Sequence, residues 1–292
     1  MFRLVGLAVV VGGCGRFGFD LVGPLSIDAA DAPADAPAPT GPFGTPTLAS
    51  VSTTGAAEDD PTLTADQLEI YFDSNRTGGM GGGDLWTATR SSTTAVWGAA
   101  RNVSELNTTG DDATPEVSRD GLTLYWVANG AAGAKDIWVA TRADRTATWS
   151  GQTRVVELAS AADESGPCVT PGGLAFYFSR DPSGTDDLYV SSRTTTSATW
   201  NPPTVISELS QAGVLDGEPF INGTNTLLLW SSGRSGANDL YLARRSSPAD
   251  TWGTPTPIAE LNTASPEGDP WLSPDEHVIY FSRNLDIYMA TR

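Results

Sequence analysis

The chain has 292 residues, 39% of them hydrophobic, and carries 35 acidic against 17 basic side chains, a formal charge of −18. That is enough apolar material for a sizeable core, while the charge excludes nucleic acid as a partner, because a phosphate backbone needs a basic face. One histidine and two cysteines are too few for a zinc centre.

The N-terminus reads as a targeting segment: Arg3, an apolar run from Leu4 to Val11, then Gly12-Gly13-Cys14. The run is shorter than the ~20 residues that span a bilayer, so the chain is expected to be anchored to a membrane and not threaded through it. These residues resemble a bacterial lipoprotein signal with its lipobox. The resemblance divides off 1–14 as signal peptide, makes Cys14 the lipidated first residue and, with Gly15 after it, favours the outer membrane of the cell envelope. Residues 15–42 include Asp28-Ala-Ala-Asp-Ala-Pro and are poor in bulky apolar side chains, so they read as a disordered Pro/Ala/Asp-rich tether.

From Phe43 to Arg292 one unit of about 52 residues recurs five times. An Asp followed by Leu or Ile and an aromatic stands at Asp84, Asp136, Asp187, Asp239 and Asp286. Six residues after each comes an arginine: Arg90, Arg142, Arg193, Arg245, Arg292. Trp97, Trp149, Trp200 and Trp252 follow in the first four, then Glu-Leu at Glu105, Glu157, Glu208 and Glu260. Each unit opens on a proline: Pro61, Pro115, Pro167, Pro219, Pro270.

Within a unit, turn residues such as Asp120-Gly121 or Gly172-Gly173 precede an apolar triplet, for example Ile70-Tyr71-Phe72 or Phe176-Tyr177-Phe178. Consecutive apolar positions mean that both faces of that strand are covered. The Asp-Leu-Tyr run is the third strand, and the fourth is expected to run from the Trp to Glu-Leu. Phe43-Gly-Thr-Pro-Thr repeats Trp252-Gly-Thr-Pro-Thr, while the fifth unit stops at Arg292 without a fourth strand. The expectation is therefore an all-β fold, a five-bladed β-propeller of four antiparallel strands per blade over 43–292, its ring closed by an N-terminal strand near Thr45 to Val51.

The motif Pro-x-Val-Ser-x-Asp-Gly, then Tyr-Phe-x-Ser-x-Arg, then Asp-Ile-Tyr resembles the TolB-type, WD-repeat-like β-propeller repeat of bacterial envelope proteins. Blade 2 departs from it at Val127-Ala128-Asn129 and blade 4 at Asn222-Gly223-Thr224, and five blades differ from the six of TolB itself.

His277 is the only histidine and sits in a turn, so no Ser-His-Asp triad is expected. The chemistry-bearing feature is acidic: three residues before each proline stands a carboxylate, Glu58, Asp112, Glu164, Asp216 and Glu267, with Asp59, Asp60, Asp111, Asp163, Glu218 and Asp269 beside them. Placed on inner strands, the five are expected to ring one channel mouth, as a site for calcium, a cationic ligand or a sugar, or else as turn caps. The loops 78–83, 181–186 and that at Lys135, together with Arg76, break the symmetry and are further ligand candidates. Asp84 and its equivalents read as structural, and the arginine series is expected to pair with Glu-Leu or sit on the surface.

Three functions fit this pattern. They are a monomeric, lipid-anchored binding or scaffold module for an envelope protein or glycan, a carbohydrate-active hydrolase using channel-mouth carboxylates, and a calcium-bound structural surface protein.

Overall fold

The computed structural model describes residues 41–129 and 133–292; Cys14, the signal segment and residues 15–40 of the tether lie outside them. Blade 1 is β2 (Glu58–Leu63), β3 (Glu69–Ser74), β4 (Asp84–Thr89) and β5 (Arg101–Asn102). Blade 2 is β6 (Asp112–Val117), β7 (Thr123–Asn129), β8 (Lys135–Thr141) and β9 (Ser150–Arg154). Blade 3 is β10 (Asp163–Val169), β11 (Ala175–Asp181), β12 (Asp187–Ser192) and β13 (Thr204–Val205). Blade 4 is β14 (Asp216–Ile221), β15 (Leu227–Ser232), β16 (Asp239–Arg244) and β17 (Thr256–Pro257). Blade 5 is β18 (Glu267–Leu272), β19 (Val278–Arg283), β20 (Asp286–Thr291) and, from the other end of the sequence, β1 (Thr47–Leu48). The chain is thus an all-β, five-bladed propeller, and among the described residues no helix is long and apolar enough to cross a membrane.

Closure joins the two expected ends of the repeat. Thr47 pairs with Met289 and Leu48 with Tyr288, and the clasp extends through Gly44 N to Thr291 O and Ala49 N to Ile287 O, both 2.8 Å. Phe43 takes the tryptophan's place, its ring 4.5 Å from the Arg292 guanidinium. Arg90, Arg142, Arg193 and Arg245 lie over Trp97, Trp149, Trp200 and Trp252 at 4.1 to 4.4 Å, so the arginine series stacks on its own blade's tryptophan and does not serve the Glu-Leu carboxylates. Several also reach the preceding blade, as Arg90 does to Tyr280 Oη and Arg245 to Tyr177 Oη.

The triplet strands form the core. Ile70, Tyr71 and Phe72 are wholly buried, as are Phe176, Phe178 and Trp230, each contributing about 1.5 to 3 kcal/mol. The fourth strands are shorter than expected: two residues in four blades, five in β9. Prolines such as Pro46, Pro203 and Pro255 remove ladder donors there, and isolated backbone bonds on either side, such as Gly98 N to Thr89 O and Val103 N to Leu85 O, continue the pairing.

Candidate functional site

Every inner strand carries the same irregularity. Pairing with the second strand slips between Asp59 and Thr62, Ala113 and Glu116, Ser165 and Cys168, Gly217 and Phe220, and Gly268 and Trp271. The proline causes it, since it has no N–H for the ladder. The residue before it swings into the left-handed region: φ is 53° at Asp60, 45° at Thr114, 54° at Gly166, 52° at Glu218 and 54° at Asp269.

One inserted residue reverses the alternation of a strand. That is why the five predicted acids do not line the channel. Glu58, Asp112, Glu164, Asp216 and Glu267 are 0 to 1% exposed, behind the inner wall. Four meet an arginine of their own blade: Glu58 with Arg76 at 2.9 Å, Glu164 with Arg180 at 2.9 Å, Asp216 with Arg234 at 2.5 Å and Glu267 with Arg283 at 2.7 Å. The second oxygen of several accepts loop N–H groups, as at Thr53, Gln211 and Thr263. Blade 2 lacks the arginine, and Asp112 is held by Thr108 N and Oγ1 instead. Burial raises the pKa of Glu58 and Glu164, opposed by these partners.

The channel is built from three rings. The first is the left-handed set, Asp60, Thr114, Gly166, Glu218 and Asp269; the second is the five prolines; the third is Thr62, Glu116, Cys168, Phe220 and Trp271. Together they leave a cavity of about 40 Å³, room for ~3 waters. Phe220 and Trp271 meet edge to face at 6.4 Å, and beyond them the Arg119 guanidinium lies against Gly223. The departure of blade 4 from the repeat motif at Asn222-Gly223-Thr224 leaves the space that this side chain fills.

Carboxylate oxygens of Asp60, Glu218 and Asp269 all lie within 4.8 Å of one another. Asp59, Asp73 and Asp186 surround them. Burial is the leading cause of the raised pKa values of Asp60, Glu218 and Asp269; repulsion from neighbouring carboxylates adds to it, and at Asp269 a hydrogen bond with Asp59 opposes it. Glu218 is pushed up to about 8, while Asp73 and Asp186 rise to about 6. Asp59 Oδ1 and Asp73 Oδ1 are buried with no hydrogen-bond partner among the described residues. The group can share protons or surround a cation.

Of the loops singled out from sequence, Asp186 joins this cluster and Arg76 serves Glu58. Loop 78–83 is tied down, Met80 N and Gly81 N donating to Asp84, and Lys135 N donates to Asp163. Gly223 and Arg119 had no signal in sequence beyond the broken motif. Asp60, Glu218 and Asp269 had one, the proline after each, which forces a bulge in an inner strand.

No protein-family model and no curated protein sequence matches the chain. Among solved structures it is similar to a putative TolB from Agrobacterium tumefaciens, with a TM-score of 0.51 and 14% identity over 80% of this chain and 72% of that one. It is similar also to an endo-arabinase from Bacteroides thetaiotaomicron VPI-5482, with a TM-score of 0.60 and 14% identity over 85% and 97%. A thermostable family-43 glycoside hydrolase gives 0.59 and 14% over 83% and 91%. At such identities the likeness is one of fold, a β-propeller shared with TolB-type proteins and with glycoside hydrolases.

Proposed function

We propose that this chain is a non-enzymatic binding module of the bacterial cell envelope, anchored by a lipid on Cys14 in the outer membrane and built around a hard-cation site in its channel. One observation supports this reading above the others: three carboxylates converge within 4.8 Å in a cavity of about 40 Å³. Two oxygens bound to one calcium at ~2.4 Å stand at most ~4.8 Å apart, so Asp60, Glu218 and Asp269 can share one ion. The unpartnered oxygens of Asp59 and Asp73 add acceptors with no other use. A cation there would offset the repulsion among the inner strands and fix the acidic face that meets an envelope protein or glycan.

The hydrolase reading uses the same carboxylates. Glycoside cleavage places its two at ~5 to 9 Å with a sugar between them, whereas these are closer and the space is far smaller than a sugar ring.

The test is thermal unfolding after chelation, with and without millimolar calcium. A rise of several degrees that is lost in Glu218→Gln and Asp269→Asn is expected. An unchanged melt in the wild-type protein refutes the cation site. Turnover of a chromogenic glycoside panel, abolished by Glu218→Gln, replaces the binding reading with the hydrolase.

A further inference from the structure

The hairpin after each third strand packs over the inner turn of the preceding blade. Between blades 1 and 2 its tip is Arg145, which reaches Asp66 Oδ2 at 2.5 Å, Glu69 Oε2 at 3.1 Å and Thr64 Oγ1 at 3.3 Å. At the junction of blades 5 and 1 the corresponding tip residue is Thr93, and the space stays open as a groove of about 670 Å³ beside β1.

The floor of this groove keeps the acid that Arg145 uses elsewhere. Asp275 stands in its turn as Asp66 does. Its Oδ1 accepts from Ser273 Oγ at 2.5 Å and His277 N at 3.2 Å, where Asp66 Oδ1 accepts from Thr64 Oγ1 at 2.7 Å and Leu68 N at 3.1 Å. Asp275 Oδ2, the counterpart of the oxygen that takes Arg145, has among the described residues only the His277 ring beside it, at 3.5 Å, and the side chain is 51% exposed. Leu48 and Val96, 54% and 77% exposed, form an apolar lip. Arg90 flanks the place as Arg142 flanks Arg145, but Arg142 is neutralised by Glu69 at 2.7 Å, whereas Arg90 donates to Gln67 O and Tyr280 Oη. Asp120 carries the same turn between blades 2 and 3; the groove and its lip single out Asp275.

We propose that this groove takes an arginine side chain of a partner protein, seated as Arg145 is seated one junction along, with the guanidinium on Asp275 Oδ2 and the stem between Leu48 and Val96. The formal charge of −18 draws a basic partner at long range. With Val278 where Glu69 stands, the place offers one carboxylate and not two, so the contact is a specificity point within a larger interface.

The test titrates the full chain at low salt with acetyl-Leu-Arg-Leu-amide and its Leu-Gln-Leu counterpart, followed by NMR. Shifts centred on Leu48, Val96 and the Trp97 indole are expected, with the arginine peptide about fivefold tighter. Asp275→Asn keeps the Oδ1 acceptor of the turn but removes the charge. Thr93→Arg fills the groove from within. Each is expected to erase that preference, whereas Asp120→Asn leaves it. Equal binding of the two peptides, a preference that survives Asp275→Asn, or shifts confined to the channel acids overturns the proposal.

Discussion

Arg119 of blade 2 reaches across the channel to Gly223 of blade 4, so that a Cβ at 223 would stand 2.7 Å from its Nη2. The near atoms are the end of a flexible side chain, which can withdraw. Gly223→Ala is therefore expected to cost less than ~1 kcal/mol, with coupling to Arg119→Ala in a double-mutant cycle. Gly166 is the contrasting case. Its φ is 54°, and a Cβ there would meet Glu218 Cα at 2.8 Å and Pro219 Cδ at 3.0 Å, atoms fixed in the neighbouring inner strand. Gly166→Ala is expected to lose ~2 kcal/mol or more. Urea unfolding compares the two, and equal losses would contradict this account of the first ring.

Removing a cation from behind the channel wall leaves a carboxylate sealed from water. Arg283→Gln strands Glu267, whose side chain is 0% exposed. A loss of ~3 to 5 kcal/mol is expected, and adding Glu267→Gln should return part of it. Denaturant midpoints check this; a loss below ~1 kcal/mol would mean that water reaches the pair.

Residues 43–51 supply the last strand of the ring. Without them Met289 and Tyr288 lose their partners and Arg292 loses the Phe43 ring. A variant lacking 43–51 is expected to melt lower and to self-associate through the bared β20 edge. Sedimentation gives the association state, and a monomer with the wild-type melt would show that closure adds nothing.

Glu116 in the third ring accepts Thr62 Oγ1 at 2.8 Å and the Cys168 thiol at 3.6 Å. Burial pushes its pKa up to about 7 against these bonds and the nearby Arg119. The folded state then keeps a proton that the unfolded chain has released above its ordinary value of 4.5. Its contribution to stability is full below that value and is lost as pH rises through about 7. Thermal melts from acid to neutral pH should fall more steeply in the wild-type protein than in Glu116→Gln, and parallel profiles would count against the assignment.

Much of the fold was legible because the repeat gives the same information five times. Asp84 and its equivalents mark the third strands, the apolar triplets fall on the second, and Phe43 stands in the place of the missing tryptophan. The channel was misplaced for one physical reason. Simple alternation puts Glu58, Asp60 and Thr62 on one inner face, but the proline at 61 opens a bulge between Asp59 and Thr62 that reverses the parity, so Thr62 keeps the channel side, Asp60 reaches it through its left-handed backbone and Glu58 turns to Arg76. The arginines that answer the buried acids also hide from a fixed register. Arg76 and Arg234 lie four residues past the aromatic of the second strand, Arg180 and Arg283 only two, yet all four meet the equivalent carboxylate. The reach of Arg119 to Gly223 joins blades that are not neighbours, and no local pattern encodes it.

Thr47 and Met289, which face each other across the clasp, are separated by 242 positions. During synthesis β1 leaves the ribosome long before β20 exists, so the nascent protein must carry an orphan segment through the making of every sector. A translation product released early has nothing for that segment to grip, and contacts this remote slow the search for the native state. A chain in which Thr47 and Leu48 are still unpaired is thus one whose ring has not yet shut.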